Sequence, residues 1–294
     1  MIIHSGMKRY ILILAAVLLP LIAEAQIKIW DGTSCTAKQV TLTEYLPEGE
    51  PRAAVIICPG GSYHWLDQKG EGSMVAQALA NEGYVAYVLR YRVAGKLEFV
   101  SKYRSVLRGH RHPDMICDLQ RAIQIVRTRY SCPLGVIGFS AGGHLAMMGA
   151  EFFSTNFLEK YKLKPAVSLR PDFAAALYPV VTMTDDRYVH KRSRLGLLGE
   201  RNTGKKELRD SLSMELHTRA DMPPVFILNC LDDDVVDYHN SVLLDSALSA
   251  KHVPHHYVQY AEGGHGFGLN PEKYTEETAN WFQEFISWLH NMSF

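Results

Sequence analysis

With 294 residues, 47% of them hydrophobic and 21% charged, the chain has the composition of a globular protein long enough for one α/β domain with a large core. Lys plus Arg and Asp plus Glu are both 31, and no long like-charge block interrupts them, so the charge gives no pointer to nucleic acid or to an anionic membrane. Internal repeats and low-complexity segments are absent.

The first segment reads as a targeting signal. Lys8 and Arg9 precede an almost wholly apolar run, 11–23, and Ala23-Glu24-Ala25 has the small-x-small form of a cleavage site before Gln26. Residues 1–25 are therefore expected to be a secretory signal peptide, and 26–294 a single domain exported to the periplasm or beyond the cell. The apolar run is shorter than the roughly 20 residues a spanning helix needs, so no stable membrane insertion is expected after cleavage.

Further along, 27–30 and 39–46 predict two strands paired antiparallel at a sheet edge. Apolar runs at 53–58 and 84–89 predict two more, the first ended by Pro59-Gly60-Gly61, with a helix-spaced stretch at 73–81 between them that Gly83 stops. Residues 114–130 place Ile116, Leu119, Ile123 and Val126 on one helical face, and a strand at 135–139 follows. Strands at 173–177, 225–230 and 256–260 and helices at 238–250 and 274–291 complete the series. This alternation predicts a three-layer α/β fold, a mostly parallel central sheet with helices on both faces. Of the five cysteines, Cys58 and Cys230 fall in buried-strand runs, Cys117 and Cys132 flank one helix and are the pair a disulfide would join, and Cys35 stands alone.

In such a sheet, functional groups gather beyond the carboxyl ends of the strands. Ser140 stands there, framed as Gly138-Phe139-Ser140-Ala141-Gly142 between a strand and a helix, where a sharp turn exposes the hydroxyl and the small neighbours let strand and helix pass closely. Two later strand ends supply partners. The run Asp232-Asp233-Asp234 follows 225–230, and His265 lies among glycines in Gly263-Gly264-His265-Gly266 after 256–260. A serine hydroxyl needs a base to take its proton, imidazole can be that base near neutral pH, and a carboxylate fixes the imidazole tautomer. Asp233 is the chosen carboxylate because Val235-Val236 then continues the turn toward the next helix, with Asp232 and Asp234 as the alternatives. Donors for the developing oxyanion are expected from the backbone N–H groups of Gly61, Ser62 and Ala141.

The stretches Pro59-Gly60-Gly61-Ser62-Tyr63, Leu89-Arg90-Tyr91-Arg92, Gly138-Phe139-Ser140-Ala141-Gly142-Gly143-His144 and Gly263-Gly264-His265-Gly266-Phe267-Gly268 resemble the α/β-hydrolase superfamily, in particular secreted bacterial esterases related to acetyl xylan and feruloyl esterases. The resemblance runs from about Val55 to Phe267. It implies a Ser-His-Asp serine esterase acting on acylated plant carbohydrate or a small ester, with no metal and no organic cofactor. Pro59 and Ser62 depart from it, standing where relatives often carry a histidine and a third glycine. Tyr63 and Trp65, just past the oxyanion loop, are candidate sugar contacts. The segment 182–206 is either part of a cap or a solvated excursion. Histidines 110, 112, 252, 255 and 256 lack accompanying carboxylates or cysteines at metal spacing, so no metal site is expected. Two other readings fit the same residues: a peptidase of the prolyl-oligopeptidase type, and a non-catalytic binding protein on the same fold.

Overall fold

The computed structural model describes residues 25–100 and 109–292 of the chain. The expected signal peptide falls on 1–25 and so lies, but for Ala25, outside the described residues. Eight strands form one sheet: β1 (Ala25–Lys28), β2 (Thr41–Tyr45), β3 (Ala54–Cys58), β4 (Val85–Arg90), β5 (Leu134–Phe139), β6 (Phe173–Leu177), β7 (Val225–Cys230) and β8 (His255–Tyr260). Their order is β1-β2-β4-β3-β5-β6-β7-β8; β2 pairs antiparallel with both β1 and β4, and all later pairings are parallel. The predicted antiparallel edge is thus present, shifted by a residue or two from the expected segments.

The helices are α1 (Met74–Asn81), α2 (Lys96–Val100), α3 (Asp114–Arg129), α4 (Ala141–Glu151), α5 (Lys191–Leu198), α6 (Lys206–Asp210), α7 (His239–Ala250) and α8 (Trp281–His290). Strand alternation sorts them into two layers. On β3, Ala54, Ile56 and Cys58 pack with Leu119, Ile123 and Leu145 of α3 and α4 on one face, while Val55 and Ile57 pack with Val75, Leu79 and the α8 residues Phe285 and Leu289 on the other. Strands buried on both faces are continuous apolar runs, which is why β3 to β7 were visible in sequence. The helix predicted at 274–291 begins only at Trp281. Thr275 and Thr278 exchange backbone-to-hydroxyl hydrogen bonds of 2.9 and 3.2 Å, the reciprocal capping pattern of a helix start, and a 3₁₀ turn, Thr278–Asn280, leads from there into α8. All five cysteines are free thiols; Cys117 donates to the Phe157 carbonyl at 3.3 Å rather than meeting Cys132.

One buried group works against stability. Glu151 ends α4 at 1% exposure, and neither carboxylate oxygen has a hydrogen-bond partner among the described residues. Burial, and then the neighbouring Glu215 charge, push its pKa well above the usual carboxylate range. A carboxyl whose native pKa is raised contributes its stability below the ordinary glutamate range, and that contribution is lost as pH rises through the native value. Glu151→Gln is expected to raise Tm by about 2–4 °C at pH 8 and to change it little at pH 4, as read by thermal unfolding at both pH values.

Candidate active site

The carboxyl end of β5 delivers Ser140 in a conformation few residues adopt, φ 54° and ψ −119°. Its backbone is pinned: the N–H donates to the Leu177 carbonyl at 2.9 Å, and the C=O accepts from His144 and Val180 at 3.2 and 3.1 Å. The flanking glycines are needed for space. A Cβ on Gly138 would overlap the Gly142 carbonyl, and one on Gly142 would overlap the Cys58 carbonyl, so α4 can rest against β5 and β3 only without those side chains. The strain at Ser140 is of order 1–3 kcal/mol and is held by this surrounding bonding.

His265 Nε2 lies 2.8 Å from Ser140 Oγ, and His265 Nδ1 lies 2.7 Å from Asp233 Oδ2. A carboxylate only accepts, so Nδ1 carries the ring proton, and the neutral ring leaves Nε2 with a lone pair for the serine hydroxyl. Asp233 is oriented in turn, its Oδ1 accepting from the N–H groups of Val235 and Val236, both at 2.9 Å. Asp232, the first alternative, does not meet the imidazole: its two oxygens accept from the Gly263 and Gly264 N–H groups at 3.1 and 2.8 Å, tying down the loop that carries the histidine. Asp234 is exposed.

The loop expected to supply oxyanion donors follows β3. Gly61 has φ 134°, and Ser62 and Tyr63 take φ 55° and 60°. Consecutive left-handed residues reverse the chain sharply, and a Cβ on Gly61 would strike the Trp65 carbonyl. The Gly60 N–H is committed to Glu71 Oε2 at 2.7 Å. Those of Gly61, Ser62 and Ala141 find no acceptor among the described residues, so they remain available to an oxyanion.

A cavity of about 320 Å³ opens over Ser140 and His265, lined by Gly61, Ser62, Trp65, Glu71, His190 and Arg192 among others. A larger hollow of about 530 Å³ at the opposite end of the sheet is lined by Pro133, Asp172 and Pro224, which precede strands rather than follow them, and ligands of open α/β sheets bind at the carboxyl ends. Trp65 lines the smaller cavity as expected, its ring edge-on to Phe99 at 4.7 Å. Tyr63 does not. The left-handed turn at Ser62 and Tyr63 sends its ring inward, fully buried, with its hydroxyl 2.7 Å from His144 Nδ1. His144 Nε2 donates to the Leu212 carbonyl at 2.8 Å, so Nδ1 must accept, and burial lowers the imidazole pKa to about 4, keeping it neutral. Tyr63→Phe would leave that buried acceptor unpaired, costing about 1–3 kcal/mol in denaturant unfolding, with KM for an ester within about twofold of wild type.

Within 182–206, His190 and Arg192 line the cavity wall, while 204–206 are exposed to solvent. A Cβ on Gly196 of α5 would meet the Ser62 carbonyl and the His64 ring, so α5 presses on the loop that follows β3. His190, just before α5, is lowered to about 4, mainly by burial and then by repulsion from the His265 ring when that ring is protonated, and its Nδ1 is 2.8 Å from Ser193 Oγ. A neutral imidazole and the Arg192 guanidinium, stacked 4.2 Å over Phe99, thus share the cavity wall with Ser140. Lys273 also lines the cavity, donating to the Gly266 carbonyl at 2.8 Å, and it, His190, Arg192, Glu71 and Tyr178 carry no site reading in the sequence. Glu71 alone carried a signal, a carboxylate set between two glycines in Gly70-Glu71-Gly72. Chemically, the arrangement can deprotonate a hydroxyl, accept an acyl group on it and hold the resulting oxyanion.

The BD-FAE family model matches residues 42–248. Among curated proteins, the chain is 27% identical over 255 residues to an acetylxylan esterase of Xylanibacter ruminicola, covering 81% of this chain and 47% of that protein. It is 29% identical over 229 residues to endo-1,4-beta-xylanase B of Butyrivibrio fibrisolvens, covering 76% of this chain and 34% of that one. The chain thus spans half or less of the length of these curated relatives. Among solved structures, an acetyl ester-xyloside bifunctional hydrolase from Caldicellulosiruptor lactoaceticus superposes with a TM-score of 0.76 at 27% identity, covering 91% of this chain and 96% of that one.

Proposed function

This chain belongs to the BD-FAE family and folds as an α/β hydrolase, and from that premise we propose that it is an exported serine esterase that removes short acyl groups, acetyl foremost, from plant polysaccharides or oligosaccharides. The observation that carries the reading is the continuous hydrogen-bonded path from Asp233 through His265 to Ser140, at 2.7 and 2.8 Å, at the floor of a cavity. In the mechanism, His265 takes the Ser140 proton as the oxygen attacks the ester carbonyl. The tetrahedral oxyanion is held by the N–H groups of Gly61, Ser62 and Ala141. His265 then gives its proton to the leaving sugar hydroxyl, and water, activated by the same imidazole, frees the acid.

Acetyl is favoured by the cavity, whose 320 Å³ is at the small end for ligand sites, and by the similarity to an acetylxylan esterase. Trp65, an aromatic on the wall of that cavity, would stack on the sugar ring behind the ester. No metal or organic cofactor takes part in this scheme. Export rests on the sequence of 1–25. No helix of the described residues is long and apolar enough to cross a membrane.

The test is product release from acetylated xylan, acetylated mannan, pectin and feruloylated arabinoxylan, with peptide p-nitroanilides alongside. Acetate from xylan or mannan is the expected product. Preferential peptide cleavage would move the reading to a peptidase, and no turnover with any ester would leave a binding protein on a hydrolase fold.

A further inference from the structure

Glu71 lies on a widened helical turn, Lys69–Ser73, at 4% exposure, with its carboxylate on the cavity wall beside Ser140 and His265. Its two oxygens hold two different loops. Oε2 accepts from the Gly60 N–H at 2.7 Å, immediately before the donors Gly61 and Ser62. Oε1 accepts from the Tyr178 hydroxyl at 3.0 Å, and that hydroxyl accepts from the Gly268 N–H at 3.0 Å, three residues past His265. Tyr178 also packs its ring on the His265 ring, centroids 4.7 Å apart. The Leu269 N–H completes the seam by donating to the Gly70 carbonyl at 3.0 Å.

Resting on the esterase reading above, we propose that Glu71 is a positioning residue for the reaction, a buried carboxylate that locks the oxyanion loop to the histidine loop through Gly60 on one side and Tyr178 and Gly268 on the other. The two loops must meet the same tetrahedral intermediate, one with N–H donors and the other with the proton-carrying imidazole, yet they leave different strands, β3 and β8. Nothing in the sheet alone fixes their relative height above Ser140. The Glu71 bridge does so with hydrogen bonds at both ends. A carboxylate in this place is costly for the fold, because burial penalises its charge and raises its pKa from the usual value. An apolar side chain of similar size would fill the space without that penalty but would leave the Gly60 N–H and the Tyr178 hydroxyl unpaired. Glu71 belongs to neither the nucleophile nor the proton relay, so its contribution is to geometry in the transition state and not to substrate binding.

The experiment uses the full chain with p-nitrophenyl acetate, an alkyl boronic acid that forms a tetrahedral adduct on the serine, and thermal unfolding. Glu71→Gln keeps one acceptor but places an amide donor in the position of the second oxygen, and Tyr178→Phe keeps the ring on His265 but cuts the bridge. Each is expected to lower kcat by about 10- to 100-fold, with KM changed less than about threefold and boronate affinity weakened by a similar factor to kcat. The double variant should be no worse than the worse single variant, because both remove one connection. Folded single variants with kcat within twofold of wild type would overturn the inference, as would a kcat loss with unchanged boronate affinity, or fully additive losses in the double variant. Should Glu71→Gln fail to fold, Tyr178→Phe carries the same test from the other end of the bridge. The esterase reading is judged separately, on wild type alone: failure to turn over the ester and failure of a fluorophosphonate to label Ser140 would remove that reading and this inference with it.

Discussion

Ser140→Ala is expected to lower kcat on p-nitrophenyl acetate by at least about 10⁴-fold while leaving the fold intact, because losing the nucleophile of such a relay alone costs nearly as much as losing the whole relay. The residual rate should come from water attack assisted by the Gly61, Ser62 and Ala141 donors, which the substitution leaves in place. Stability should not suffer. Ser140 is held through its backbone bonds to Leu177, His144 and Val180, and its only side-chain hydrogen bond among the described residues is to His265. Alanine retains φ 54° and the same bonds, so Tm is expected within a few degrees of wild type. Turnover equal to wild type in this variant would dismiss the acyl-enzyme mechanism outright. A large loss of Tm would instead show that the hydroxyl contributes to the fold, contrary to the geometry.

The parts of the molecule that were legible in sequence are those decided locally. The strands at Phe173–Leu177 and Val225–Cys230 were found to the residue, since a strand buried on both faces is a short apolar run bounded by turn residues. Ser140, Asp233 and His265 were legible because each sits at a strand end with its own turn chemistry. What escaped the sequence depends on contacts across the fold. Glu71 and Tyr178 are 107 positions apart, and their hydrogen bond exists only because β3 and β6 flank β5. Tyr63 was misjudged because its direction depends on backbone dihedrals. Two successive left-handed residues without glycine are rare, and they turned a candidate sugar contact into a partner for His144. The late start of α8 is a subtler case: Thr275 and Thr278 cap each other reciprocally, and the first turn after them is 3₁₀, so the regular helix begins only at Trp281. The cap, too, was ambiguous in sequence: its charged residues suit solvent, and only the fit of Gly196 against the Ser62 carbonyl shows which side faces the site.

The adjacent aspartates give the second large effect, and a contrast that tests the geometry rather than the composition of the turn. Asp233→Asn is expected to lower kcat by about 10²- to 10⁴-fold near neutral pH, because an amide in place of the carboxylate can donate to His265 Nδ1 and favour the tautomer whose Nε2 carries the proton and cannot accept one from Ser140. It also withdraws the negative charge that stabilises the imidazolium formed during attack. Asp232→Asn removes no group from that relay. Its side chain can still accept one of the two N–H bonds from Gly263 and Gly264, so the expected loss is about tenfold or less, through a loosened histidine loop. The two variants are equal in charge and almost equal in volume, at neighbouring positions of one turn. A difference of at least tenfold between them therefore reports which carboxylate faces the imidazole, and equal losses would contradict the 2.7 Å contact between Asp233 and His265. Solvent exposure sharpens the contrast: the Asp233 side chain is 1% exposed in that contact, whereas Asp232 is open to water, where an amide and a carboxylate differ least.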